Sequence, residues 1–407
     1  MFRRVLIFGS VALAAVVIAI SVKVTAGPST EKGKKIPVSE ENGFIKLSRS
    51  PDVSDFPKVT SPRTFSFPAD YGPHPEYRIE WWYYVGNLDT DAGRHFGYQL
   101  TFFRMALTSK PVERKSTWRT NQVYMAHFAL TDVENRRFYA FERKSRGAVG
   151  LAGASATPFS VWVENWSAVD GSKLPHSQQD ISSAEGDRIH LSAVEDEVAI
   201  DLILERGKPP VLVGDKGMSQ KSRDVGNASY YYSLTRMPTH GTIRVEGKTF
   251  QVRGASWLDR EWGSGFLAKD QAGWNWFGLQ LSDGREVMFY VLRQLDGSAS
   301  PFSRGLIVSA NGAIRPLALD DVHIDVLDHW QNPVGGIRYP SRWRLQIPSE
   351  QLMLVIDPYL ANQELNLSIG RYWEGAVRIS GTSNGQSING NGYVELTGFL
   401  MSASSLF

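Results

Sequence analysis

From about Arg63 onward, apolar and polar positions alternate in short runs, and no stretch sustains the 3.6-residue period of a helix. RTFSFP, FGYQLTFFR, VYMAHFALTDV, RFYAFERK, FSVWVENW, RIHLSAV and VAIDLILER are rich in β-branched and aromatic residues and are separated by turn residues. Such runs read as strands. In Tyr124 to Leu130, even and odd positions fall on opposite faces of a sheet. The texture recurs after about His240 in GTIRVEGKTFQVRGASW, WNWFGLQLSDGREVMFYVLRQ, RWRLQIP, QLMLVIDP, AVRISGT and GYVELTGF. Ser282-Asp283-Gly284-Arg285 and Glu246-Gly247-Lys248 have hairpin-turn composition. Many short strands with glycine-rich turns predict an all-β sandwich or barrel, and two blocks of about 170 residues predict two of them. MPTHG interrupts the strand texture, so the expected division is 63–239 and 240–407. The polar, serine-rich stretch Asp170 to Asp187 reads as a surface loop.

The N-terminus has a different pattern. MFRR precedes an uncharged, mostly apolar run from Val5 to Val22, and Val24-Thr25-Ala26 offers the small residues at which a signal peptidase cleaves. Residues 1–26 are therefore expected to be a signal peptide or a membrane anchor. The run is short for a span of ~20 residues, and association with the inner membrane through residues 5–22 belongs to the uncleaved case. Residues 27–62 form a polar lead segment. The expected location is periplasmic or secreted. A lipoprotein anchor is excluded, because the chain has no cysteine.

Composition narrows the chemistry. The 407 residues carry 44 Lys plus Arg against 42 Asp plus Glu, without a basic stripe, so nucleic acid is not an expected partner. The absence of cysteine removes disulfides, thiolate metal sites and cysteine nucleophiles. Aromatic residues reach 12%, with 12 Trp, which points to large apolar surfaces. Asp321, His323 and Asp325 would share one strand face, but an exposed polar edge explains them as well. No metal and no other cofactor is expected. Gly263-Ser264-Gly265 does not form a nucleophile elbow.

One stretch stands out: ASWLDREWGSGF, Ala255 to Phe266, which sets Asp259, Arg260 and Glu261 between two indoles. On a strand, Asp259 and Glu261 point to the same side with Cβ atoms ~7 Å apart. Neighbours on one strand do not flank a glycosidic bond from opposite walls. Two readings remain. One acid donates a proton, its pKa raised by its neighbour and by desolvation, or the carboxylates pair with an arginine. Glu80, ahead of Trp81 and Trp82, also needs a partner, and Arg78 or Arg104 can supply it. His127 in its apolar strand reads as a core or pocket residue.

HPEYRIEWWYYVGNL, GYQLTFFR, VYMAHFALTD, ASWLDREWG, WNWFGLQLSDG, RYWEGAVRISG and GNGYVELTGF occur in order from about Asp70 to Leu400. Together they resemble the AttH-like family, a group expected to be secreted and related to carotenoid 1,2-hydratases and, more remotely, to fungal pericyclase-type proteins. The resemblance implies two tandem lipocalin-like β-barrel domains. It also implies an apolar ligand (isoprenoid, polyene or lipid) held in a barrel or between the domains. Trp81, Trp82, His127, Trp257, Trp262, Trp274 and Trp276 are then the expected ligand-binding residues. The carotenoid hydratases protonate an alkene and add water at a site with His-x-Trp and Tyr-x-Asp pairs. The corresponding stretches here are Trp274-Asn275-Trp276 and Tyr290-Val291-Leu292. The indole and the phenol persist, whereas the histidine and aspartate do not. That leaves Asp259 and Glu261, with Tyr290, as the candidate catalytic residues. An enzyme of hydratase or cyclase type, a non-catalytic lipid carrier or accessory protein, and a carbohydrate-active protein are the three function classes carried forward, the last at odds with the resemblance.

Overall fold

In the computed structural model, residues 55–110, 116–172, 188–334 and 336–399 are described. The apolar run at residues 5–22 and most of the lead segment lie outside them, as does most of the serine-rich stretch after Asp170. The regular structure of the described residues is almost entirely strand, with three short 3-10 turns. Its strands form a 13-stranded and a 10-stranded antiparallel sheet. Each encloses its own apolar core, and the architecture is all-β and lipocalin-like in tandem.

The strand texture continues through the expected division. The strand Ala228–Val245 runs through His240 and pairs along most of its length with Lys248–Gly263, both in the first sheet. MPTHG reads as a break because the register shifts between Leu234 and Met237. The resulting bulge bends the strand without ending it. The Glu246–Gly247 turn closes this hairpin with positive φ at both residues, 51° and 73°, the twist that two-residue hairpins favour. The chain crosses to the second sheet between Gly263 and Gln271.

The strands between the sheets explain the unbroken aromatic runs. In Ile79–Asp89, Trp82, Tyr84 and Leu88 enter the core of the first sheet, whereas Tyr83 and Val85 join a cluster shared with the second. Gln271–Leu281 does the same from the other side: Phe277 and Leu279 face inward, and Trp276 faces the first sheet. A strand buried on both faces reads as continuously apolar. Where the sheets meet, Gly97 lies against Ala376; a Cβ at Gly97 would come 2.3 Å from the Ala376 methyl. Only a residue without a side chain permits that approach.

Candidate active site between the two sheets

Cross-strand pairing assembles the site. Residues directly opposite on neighbouring strands share a face, so one row of the first sheet runs Tyr231, Glu261, Trp81, Phe103, Met125. The adjacent row runs Ser233, Asp259, Tyr83, Thr101, His127. A row of the second sheet, Tyr290, Trp276, Glu395, Glu374, lies opposite. The cleft between them encloses about 660 Å³ of space, partly open to solvent. Its walls are mainly Trp81, Tyr83, Phe103, Phe266, Trp274 and Trp276, and four carboxyl groups enter it: Asp259, Glu261, Glu374 and Glu395.

The four carboxyls are held differently. Asp259 accepts hydrogen bonds from Ser233 Oγ (2.5 Å), Tyr231 Oη (2.5 Å) and Trp257 Nε1 (2.6 Å). Burial pushes its carboxyl up to about 7 against the pull of those three donors. Glu261 pairs with the Lys221 ammonium at 2.8 Å and accepts from Ser229. Lys221 is buried, which disfavours its charge, yet Glu261 beside it keeps its pKa above the ordinary lysine value. Glu395 is half-buried and accepts from Trp274 Nε1 at 2.8 Å. Burial, reinforced by the charges of Asp259 and Glu261, raises it to about 8 despite the indole donor. Glu374 accepts from Tyr83 Oη at 2.8 Å, and burial beside Glu395 lifts it well above the carboxylate range. An aromatic cleft that keeps carboxyl groups neutral near neutral pH is a source of protons in an apolar setting.

The expected site residues divide by strand parity. Asp259, Glu261, Tyr290, Trp81, Trp274 and Trp276 line the cleft together. Tyr290 shares a hydrogen bond with Ser219 Oγ (2.8 Å) and lies under the Lys221 ammonium at 4.6 Å, so it positions that lysine. Trp257 stands behind the lining, donating to Asp259 and meeting Trp276 edge-on at 5.8 Å. Trp82 and Trp262 belong elsewhere, because alternate side chains leave opposite faces of a strand. Trp82 lies under the Arg260 guanidinium at 3.7 Å, and Trp262 stacks on His74 at 3.8 Å, both in the core of the first sheet. His127 is also absent from the lining: its Nδ1 meets Tyr372 Oη at 2.6 Å, and its ring lies beside Phe103. Burial holds its pKa low although Glu142 opposes this.

Arg260, between the two acids in sequence, points away from them. It pairs with Glu80 at 2.5 Å, and Arg104 pairs with the other oxygen of the same carboxylate. Arg104 is thus one partner of Glu80, and Arg260 is the second. Glu261 uses a lysine in place of an arginine. Lys221, Tyr231, Glu374 and Glu395 are additions to the sequence-based set. Glu374 and Glu395 carry a sequence signal, each a lone carboxylate in an apolar strand of WEGAV and YVELTG. Lys221 in MSQKSRD looks like an ordinary surface residue. His323 and Asp325 are exposed on an edge strand, with Asp325 3.5 Å from Arg344.

Comparison with known proteins agrees with this architecture. An AttH protein from Nitrosomonas europaea superposes with a TM-score of 0.72 at 30% identity, covering 85% of this chain and 100% of that one. Kievitone hydratase from Nectria haematococca gives 0.61 at 16% identity, covering 86% and 97%. CghA, a protein also solved with Sch210972, gives 0.51 at 11% identity, covering 87% and 97%. The latter two share the fold. No curated protein sequence matches the chain. The AttH-like family model matches residues 58–399. The chain belongs to the AttH-like family.

Proposed function

We propose that this protein is an enzyme of hydratase or cyclase type that binds an apolar, unsaturated ligand between its two sheets and protonates it. The observation that carries this reading is geometric: Asp259, Glu261, Glu374 and Glu395 converge on one aromatic cleft in which Lys221 pairs with Glu261, and burial there raises Asp259 to about 7 and Glu395 to about 8. Glu395 is the proton donor. It is the more accessible of the two, and a single indole holds it. Its O–H passes a proton to an alkene carbon, leaving a carbocation whose charge the faces of Trp81 and Trp276 stabilise. Water then adds, or a second double bond closes a ring, and the proton released returns to a carboxylate. Glu261 and Lys221 remain an ion pair beside this step and keep the local field constant. Kinship in fold with a protein named a hydratase supports the reaction class.

Mass spectrometry of an organic extract of the purified protein tests the ligand class. An isoprenoid, polyene or other unsaturated lipid is expected; a co-purifying oligosaccharide would contradict the reading. A carrier that changes nothing is the second reading, and Asp259 favours it, since a carboxyl satisfied by three donors is also a good structural element. Turnover of the extracted compound separates enzyme from carrier. We place the folded part outside the cytoplasmic membrane, because Arg3 and Arg4 precede the apolar run. A reporter fused after Phe407 should then work outside the cytoplasm, and activity in the cytoplasm alone would refute the location.

A further inference from the structure

Phe103 is a wall of two cavities. On one side is the carboxyl cleft. On the other is a second chamber enclosing about 530 Å³, partly open to solvent, lined by Ile79, Met105, Val123, Met125 and Ile369. The pairing places both linings on one face of the first sheet, in adjacent rows. Phe103 lies opposite Trp81 on one neighbouring strand and Met125 on the other, with Ile79, Met105 and Val123 in the next row of that face. We propose that this chamber is the tail subsite of the ligand, and that the ligand is a long linear chain crossing the strands past Phe103. The inference rests on the apolar-ligand reading above and adds the shape and polarity of the molecule.

Three observations support it. Neighbouring strands are ~4.8 Å apart, so the three steps from the Asp259 strand to the Met125 strand span roughly 14 Å, room for a linear tail on the order of ten carbons. The lining is aliphatic with two methionines, whose flexible thioethers accommodate a chain of variable shape. Lys144 also lines the chamber, but its ammonium is already matched by Glu142 at 3.2 Å and by Ser368. The tail end is therefore uncharged, and the lysine contributes its alkyl stem. The reactive, unsaturated end lies among the carboxyls, and the saturated or remote end lies beyond Phe103.

Displacement of a fluorescent apolar dye from the full chain by octanol, dodecanol and hexadecanol tests the assignment. Affinity should rise with chain length in the parent. Met125→Lys, which puts a charge in the chamber, and the milder Met105→Gln should weaken hexadecanol binding, the former by about tenfold or more. Octanol, short enough to remain in the cleft, should bind both variants within about twofold of the parent. Equal losses for octanol and hexadecanol in Met105→Gln with an unchanged melting temperature, or no loss for either in both variants, would overturn the tail subsite alone. Failure of every alkanol to displace the dye from the parent would overturn the apolar-ligand reading with it.

Discussion

Glu395 and Asp259 both have raised pKa values, yet their surroundings predict opposite responses to the same isosteric change. Glu395→Gln keeps an acceptor for Trp274 Nε1 and removes the proton, so turnover should fall on the order of a hundredfold or more with little change in melting temperature. Asp259→Asn turns one oxygen into a donor against hydroxyls and an indole that already donate to the site. It should lower the melting temperature, by about 1–3 kcal/mol of stability. Glu261→Gln strips the buried Lys221 of its counter-charge, and removing one partner of such a pair costs about 3–5 kcal/mol. Proton donation requires the acid form, so turnover should be lost as pH rises past about 8, the value to which Glu395 is raised. Stability has the same sign for these two groups. Their folded values lie above their unfolded ones, so their contribution is full below about 4 and is lost as pH rises through about 7 and about 8. Glu80 acts in reverse. Burial pushes it up, but Arg104 and Arg260 hold it well below its ordinary value, so its contribution is present above that value and lost as pH falls. Melting temperature against pH should therefore decline on both sides of a mildly acidic maximum.

Alternation within a strand makes part of this site legible in the sequence, and contacts between strands and sheets hide the rest. Asp259 and Glu261 have the same parity, and both enter the cleft. Trp257 shares that parity, whereas Arg260 and Trp262 have the other, so the two-residue period of the strand separates the indoles flanking DRE. Trp81 and Trp82 divide by the same rule. The prediction follows at the level of the strand: Trp262→Ala should cost about 3–5 kcal/mol with the cleft residues unchanged, and Trp81→Ala should weaken ligand binding with a smaller loss of stability. Chemical unfolding and ligand titration of the two variants check this. A Trp262→Ala variant as stable as the parent would contradict the parity assignment. Strand content and all-β class were legible because the repeat is local. Which strands pair was not. Glu374 and Glu395 reach Asp259 only through contact between sheets, and Lys221 is buried between Glu261 of the first sheet and Tyr290 of the second. The bulge after Leu234 shows the same limit, since a bent strand and a domain boundary share the same turn residues.

At the scale of the molecule, the cleft exists because two sheets share one apolar seam. Tyr83, Val85, Tyr231 and Trp257 from the first meet Trp276, Met288, Tyr290 and Tyr393 from the second. Polar contacts lock the seam: Glu286, buried in the second sheet, accepts from Arg236 at 2.5 Å and from Lys208 at 2.7 Å, both from the first. Tyr83 donates to Glu374 across the same boundary. The two sheets should therefore unfold in one calorimetric transition, and separate fragments ending at Gly263 or beginning at Gln271 should not fold, since each exposes half the seam. Two well-resolved transitions, or a stable half, would show that the sheets are independent. Gly97→Leu should force the sheets apart at Ala376 and abolish ligand binding, an effect read by dye displacement.

Storage of protons on the carboxyl groups of this cleft near neutral pH can be measured without knowing the ligand. Carbon-13 NMR of protein labelled at its Asp and Glu carboxyl carbons, with Glu395→Gln and Asp259→Asn used to assign the signals, reports each titration directly. One carboxyl should titrate near 7 and be absent from the Asp259 variant, and one should titrate near 8 and be absent from the Glu395 variant. If the signals lost in both variants titrate below about 5, in the ordinary carboxylate range, the cleft holds anions in place of acids and the proposed chemistry is wrong.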